Sequence, residues 1–245
     1  DLEAMASDYV EALCEFHPGG PYMLCGWSMG GVIAFEVARQ LRARGESVAL
    51  LALIDSQAPR KGQIKPNWFT LLAILALDLG LANDKLVALL QEIRNLPPPG
   101  QLRRVWAETR RAGVIPAEMT LLEFRRLFDT FKASSEMMHR YEAGEYAGRV
   151  TLIRAEQSLE DDPSFVRFED WNETAVEDSS HGWAQLAVEG VDVHVVPGNH
   201  FSVMREPFVE ALAERLRVCI DEMLRAREED AEAPGRAFAH VQQVV

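Results

Sequence analysis

Basic side chains are scarce in this sequence. Its 245 residues include 25 Lys and Arg against 38 Asp and Glu, a formal net charge of −13. Such a surface repels a phosphate backbone unless a local basic patch overrides it, which argues against nucleic acid as a partner. Cysteine is nearly absent as well. Cys14, Cys25 and Cys219 are odd in number and have no metal-like spacing, which excludes a disulfide framework and points to a reducing, cytoplasmic compartment. Long apolar runs are also missing: the most continuous, Pro66 to Leu77, is twelve residues ended by Asp78. A bilayer span needs roughly 18–20, so no membrane is expected as a partner. The N-terminus, Asp-Leu-Glu-Ala-Met, has no basic segment and no initiator Met, so no export signal is read there and the chain looks entered partway through. What is present, 48% apolar and 26% charged residues, is the profile of a folded globular protein and excludes disorder for most of the length.

Periodicity supplies the organisation. Leu2, Met5, Tyr9, Leu13 and Phe16 form a helical stripe stopped by His17-Pro18-Gly19-Gly20-Pro21. Tyr22-Met23-Leu24-Cys25 then reads as a short strand buried on both faces. Residues 29–44 return to helical spacing, with Gly45 where a helix stops, and Ser47 to Ile54 reads as a second buried strand. A strand–helix–strand unit of this kind implies a parallel sheet with a right-handed crossover. Residues 66–142 break the rhythm with helical periodicity alone, punctuated by Pro97-Pro98-Pro99-Gly100 and by Gly113 to Pro116. Strands resume at Arg149–Arg154 and Val191–Val196, followed by a helix from about Pro207 to Arg227. The expected division is therefore an α/β core over 1–65 and 143–227, a helical insertion over 66–142, and a mobile charged tail over 228–245.

Gly26-Trp27-Ser28-Met29-Gly30 lies between that first strand and the helix that leaves it. A G-x-S-x-G sequence in this setting is a nucleophile elbow, with glycines flanking the serine because the turn is strained and side chains there would clash. The helix N-terminus behind Ser28 offers N–H groups to a developing oxyanion, that of Met29 first. The other reading is a plain strand–helix turn with a capping serine. A serine hydroxyl needs a base. Of His17, His139, His181, His194, His200 and His240, His200 is best placed, in Pro197-Gly198-Asn199-His200-Phe201 after a late strand, on the same sheet edge as Ser28. His181 beside Gly182-Trp183 is the reserve. The orienting acid is read as Asp55, which leaves its strand directly; Asp161 and Asp162, before Pro163, read more like a solvated turn. The order Ser28, Asp55, His200 is that of the α/β-hydrolase fold.

Three segments carry a closer resemblance: Pro21 to Gly31, Leu53-Ile54-Asp55-Ser56, and Gly198-Asn199-His200-Phe201. They resemble the thioesterase domains that end nonribosomal peptide and polyketide synthetases, and Trp27 before the serine favours the chain-releasing type. The helical block resembles the lid of those domains, and Gly148 to Leu152 the strand after it. The resemblance covers the chain to about residue 224. It implies an α/β-hydrolase-type, mostly parallel sheet with an inserted helical lid. It further implies that the N-terminal strands of the fold, with the loop giving the second oxyanion donor, are absent from this chain. The implied partner is an acyl or peptidyl carrier protein presenting a small-molecule acyl or peptidyl substrate as a phosphopantetheine thioester, with no bound cofactor or metal. Ser28 would take the chain and release it by hydrolysis or macrocyclisation. His17-Pro18-Gly19-Gly20 imitates the family's oxyanion loop but stands where a turn is needed. A stand-alone editing thioesterase or ester hydrolase, and a truncated fragment that binds a carrier or acyl chain without turnover, are the alternatives.

Two further features have two readings each. Arg103-Arg104 and Arg110-Arg111 are seven apart and share a helical face, with Arg125-Arg126 beyond them; this is either a solvated face or a docking face for an acidic carrier or its phosphate. Phe69, Leu72, Leu75, Phe124, Phe128 and Phe131 either pack the lid or line an acyl channel. Cys25, on the first strand, reads as core.

Overall fold

The computed structural model describes residues 1–60, 65–158 and 178–232. The first helix, α1 (Leu2–Phe16), starts where the Asp1 carboxylate accepts from Ala4 N–H, and it buries Leu2, Ala6 and Val10. Strand β1 (Tyr22–Trp27), helix α2 (Met29–Ala43) and strand β2 (Val48–Ile54) follow. Helices α3 (Trp68–Asp78), α4 (Asn83–Ile93), α5 (Pro98–Arg111) and α6 (Leu121–Arg140) come next with no strand between them. The chain closes with β3 (Val150–Ala155), a 3₁₀ turn at Trp183–Gln185, β4 (Val191–Val196) and α7 (Val209–Glu232). The proline cluster opens α5, with Pro97 as its cap and Pro98 and Pro99 in the first turn, where a missing N–H costs nothing. Thr120 and Glu123 cap α6 reciprocally. The last helix runs five residues past Arg227, into the segment expected as a mobile tail.

Among the described residues four strands pair, all parallel, in the order β1-β2-β3-β4. Helices α1 and α2 cover one face, over an apolar cluster that includes Leu2, Phe35, Leu41, Leu51, Leu53, Tyr146, Leu152 and Trp183. Helix α7 covers the other face over β2, β3 and β4, where Ile54, Ile153, Val196, Val203 and Leu212 meet. Because α7 stops short of β1, that strand is not buried on both faces as its apolar run predicts. Tyr22 is buried, whereas Met23 and Cys25, pointing to the uncovered side, are exposed. Helices α3 to α6 enclose a core of their own, with Leu72, Leu86, Ile93, Val105, Phe124 and Phe128 fully or almost fully buried. Phe69 and Phe131 pack against its margin. Among the described residues no helix is long and apolar enough to cross a membrane, and no cluster of His, Cys, Asp or Glu could hold a metal ion.

Where the chain returns from the helical insertion, a buried polar cluster fastens it to α2. Glu36 on α2 is fully buried; its carboxylate accepts from Arg39 at 2.7 and 2.8 Å, from Gln40 at 2.8 Å and from the Tyr141 hydroxyl at 2.6 Å. Burial pushes the Glu36 carboxyl up, but these donors outweigh it and hold the group below its ordinary range. A carboxyl lowered by folding adds stability that is present at neutral pH and lost as pH falls through its folded value. Tyr141→Phe removes one donor to this charge and is expected to cost about 1.5–3 kcal/mol near pH 7. That loss should shrink on acidification below the ordinary carboxylate range. Urea denaturation at several pH values checks this, and a loss independent of pH would mean that ring packing is what Tyr141 contributes.

Candidate active site

The site is assembled by letting the sheet ladder run one residue beyond the strands. Ser28, directly after β1, donates its N–H to Ile54 O at 2.9 Å, and Asp55, directly after β2, donates its N–H to Ile153 O at 2.8 Å. Both residues take positive φ, 54° at Ser28 and 43° at Asp55, a conformation that costs a non-glycine residue on the order of 1–3 kcal/mol. Ser28 occupies the N-cap position of α2 but makes no side-chain capping bond, so the capping-serine reading fails. Its hydroxyl lies instead 3.0 Å from His200 Nε2, and His200 Nδ1 lies 2.8 Å from Asp55 Oδ2. Asp55 Oδ1 accepts from Ala155 N–H at 2.8 Å, so both carboxylate oxygens are occupied. The structure thus brings Ser28, Asp55 and His200 together, and Met29 is the first residue of α2, its N–H at the helix N-terminus.

The other candidates are elsewhere. His194 is within β4, His139 is in α6 with Nδ1 3.1 Å from Ser135 O, and His240, Asp161 and Asp162 lie outside the described residues. His17 to Gly20 form the turn between α1 and β1. They stand at the opposite end of a six-residue strand from Ser28, roughly 20 Å away, too far for an oxyanion contact. His181 does stand near Asp55, but burial pushes its imidazole down, and its carbonyl holds Ala58 N–H.

The glycines divide the work unequally. A Cβ on Gly26 would stand 2.1 Å from Gly30 O and 2.6 Å from Gly31 N, and one on Gly31 would stand 2.5 Å from Ser56 Cβ and Oγ. A Cβ on Gly30 would meet nothing within 4 Å. The close approach therefore needs Gly26 and Gly31, and the clash expected at Gly30 is absent. Trp183 locks the backbone opposite by donating its indole N–H to Ser56 O at 2.8 Å.

The imidazole is framed by aromatic rings. Trp27 stacks on it with centroids 5.3 Å apart and planes at 28°, and Phe201 meets it edge-on at 5.2 Å. Burial raises the Asp55 carboxyl, but the His200 hydrogen bond and charge and the Ala155 N–H outweigh that, so it stays ionised below its usual range. Asp78, the last residue of α3, behaves oppositely: burial lifts it to about 6, against the opposing pull of His200 and Arg205. In the sequence Asp78 marks only the end of an apolar run, and Trp27 only a family resemblance. The arginine face of α5 is largely engaged. Arg104 pairs with Glu92 at 2.6 Å, Arg111 with Glu108 at 2.6 Å, and Arg110 donates to Ala117 O and lies over the Trp106 ring. These contacts favour the solvated-face reading.

Gly26→Ala should lower the rate at which a fluorophosphonate labels Ser28 by on the order of 100-fold, through misplacement of the hydroxyl, whereas Gly30→Ala should leave the fold and the thermal unfolding temperature intact. Equal behaviour of the two variants would refute the division. For Asp78, the folded carboxyl keeps its proton to about pH 6, while an unfolded chain releases it near the ordinary carboxylate value. Between those values the folded state binds more protons, so stability falls as pH rises through this window. Asp78→Asn should therefore stabilise the protein by on the order of 2 kcal/mol at pH 7.5 and by much less at pH 4.5, read by urea denaturation. A gain equal at both pH values would show that Asp78 does not ionise at cost.

Comparison with known proteins places the chain in a family. Residues 1–218 match the family described as Thioesterase domain. A non-reducing polyketide synthase of Pseudevernia furfuracea is 29% identical over 241 residues, covering 86% of this chain and 10% of that protein. Chondramide synthase of Chondromyces crocatus is 25% identical over 243 residues, covering 96% of this chain and 6% of that one. The chain thus spans a tenth or less of these relatives' length. Among solved structures, the four-domain nonribosomal peptide synthetase AB3403, bound to AMP and glycine, is 28% identical with a TM-score of 0.71, over 88% of this chain and 15% of that one. The NocB thioesterase domain in covalent complex with a fluorophosphonate nocardicin G analogue, 24% identical with a TM-score of 0.55 over 89% of this chain and 74% of that one, shares the fold. The chain belongs to the thioesterase domain family, related to the chain-release domains of nonribosomal peptide and polyketide synthetases.

Proposed function

We propose that this chain is a serine thioesterase that takes an acyl or peptidyl group onto Ser28 from the phosphopantetheine thioester of a carrier protein, and releases it to water or to a nucleophile within the group itself. The observation that carries this reading is the unbroken relay from Ser28 Oγ through the His200 imidazole to Asp55, with links of 3.0 and 2.8 Å. In the first half-reaction the Ser28 oxygen attacks the thioester carbonyl while His200 Nε2 takes the hydroxyl proton, and Asp55 stabilises the imidazolium that forms. The tetrahedral oxyanion lies towards the α2 N-terminus, where the Met29 N–H and the helix dipole favour negative charge. Collapse breaks the C–S bond, and the imidazolium returns its proton to the departing thiol. In the second half-reaction, water or an internal hydroxyl or amine gives its proton to His200 and attacks the ester. Ser28 Oγ then leaves and recovers that proton. The Asp55 carboxylate keeps its charge throughout, consistent with its lowered proton affinity.

Intact-mass measurement after exposure to an acyl N-acetylcysteamine thioester tests this. An adduct of the acyl mass is expected on the parent and absent from Ser28→Ala. His200→Ala and Asp55→Asn should slow its formation by on the order of 10³–10⁴-fold. Product mass separates release to water from ring closure, which differ by one water. An adduct that persists in Ser28→Ala, or none on folded parent protein, would overturn the proposal.

A further inference from the structure

His200 hangs from a loop, yet its Nε2 must stay within hydrogen-bond reach of Ser28. Loops ordinarily hold side chains loosely, whereas a reacting pair tolerates only about 0.5 Å of error. Within the loop, Asn199 Oδ1 accepts from Phe201 N–H and Ser202 N–H at 3.1 and 3.0 Å, and Ser202 Oγ accepts from Asn199 N–H at 2.9 Å. These bonds shape the turn without tying it to anything outside. Gly198 O accepts from Gln157 N–H at 2.9 Å, which fixes the start of the loop to the sheet.

Val203, three residues after His200, is buried with Ile153, Val196 and Leu212 on the α7 side of the sheet, and further ties lead into the helical insertion. The Phe201 side chain, immediately after His200, is buried in the core formed by α3 to α6. Its carbonyl accepts from Arg205 Nη1 at 2.6 Å. The same guanidinium reaches α3, where Nη2 donates to Leu77 O at 3.2 Å and to Asp78 O. These are the last two residues of α3, where the dipole presents its negative end; Leu77 O accepts from Gly80 N–H at 2.8 Å as well. The guanidinium passes Gly80, at φ +102°, 3.5 Å from where a Cβ would stand. A planar fork can hold carbonyls of two elements at once; an ammonium, as a single point, cannot hold all three.

We propose that Arg205 is a positioning residue that clamps the His200 loop to the C-terminal end of α3, so that the imidazole holds its place against Ser28 only while the insertion is seated. This rests on Ser28 being the nucleophile. The Arg205 hydrogen bonds described above go to backbone carbonyls, so it acts on the backbone next to His200. Losing it removes the link between Phe201 O and the end of α3 and leaves the loop held there by the Phe201 side chain alone, which moves the base rather than removing it.

The experiment compares fluorophosphonate labelling of Ser28 in the parent, Arg205→Met, Arg205→Lys and Arg205→Gly, each checked for folding by circular dichroism. Full labelling stoichiometry is expected throughout, with the rate lowered about 10–100-fold in Arg205→Met, in proportion to base misplacement. Arg205→Lys should fall between that variant and the parent. Guanidinium ion added to Arg205→Gly should recover the rate several-fold. On an acyl N-acetylcysteamine thioester the loss should appear in kcat with KM little changed. A folded Arg205→Met labelled within twofold of the parent, or a loss of stoichiometry without guanidinium recovery, would overturn the inference. Should Arg205→Met not fold, Arg205→Lys is read by the same criterion. A parent that is not labelled at all would overturn the nucleophile reading and this inference with it, whereas a labelled parent with unaffected variants overturns this inference alone.

Discussion

Ser28 N–H on Ile54 O and Asp55 N–H on Ile153 O are bonds of the sheet ladder, continued past the last residue of each strand. Everything at the site depends on that register. Trp27 pairs with Ile54, and Ile54 with Ile153, so the residues that follow these strands arrive at one edge, side by side. In a parallel sheet a slip of one residue would send each side chain to the opposite face and separate the hydroxyl from the carboxylate. The register is itself fixed by burial. Leu51 and Leu53 belong to the cluster under α2, while Ile54 and Ile153 belong to the cluster under α7, so a slip would exchange the two sets and force both close-packed clusters to repack.

The same edge is where the backbone is strained. Ser28 and Asp55, together with His181, are the described non-glycine residues with positive φ. For Ser28 the strain has a clear consequence: at φ 54° the serine leaves its strand without capping α2, and its hydroxyl is left to the imidazole. The close approach of β1 to the first turn of α2 at Gly26, and of α2 to Ser56 at Gly31, holds the elbow in that form. Trp183, fully buried and bonded to Ser56 O, closes the packing from behind.

Much of this was legible in the sequence because it is local. The alternation of strand, helix and strand over residues 22–54 follows from periodicity, and the serine, carboxylate and imidazole each stand at the end of a short apolar run. What was not legible depends on how far a distant element reaches. The apolar letters of Tyr22 to Cys25 predict a strand covered on both sides, but whether α7 extends over β1 is a matter of tertiary placement, and it does not. The G-x-S-x-G pattern points to Gly30, whereas the tight contact falls on Gly31, because it is made with a residue 25 positions later. Asp78 carries no sequence signal of its raised proton affinity, since that arises from burial at the end of α3. Arg205 is silent for the same reason: its partners at Leu77 and Asp78 are 128 and 127 residues away.

The three members of the relay therefore owe their positions to three different bodies of packing. Ser28 is set by α2 against the sheet and Asp55 by the β2–β3 ladder, whereas His200 precedes a phenylalanine that is buried in the helical insertion. The insertion is thus more than a cover laid over a finished site. Its core supplies the anchor beside the base, and its first helix ends on the arginine that holds the same loop. Within such an arrangement, a change that shifts the end of α3, Phe201 or Arg205 also shifts His200 relative to Ser28.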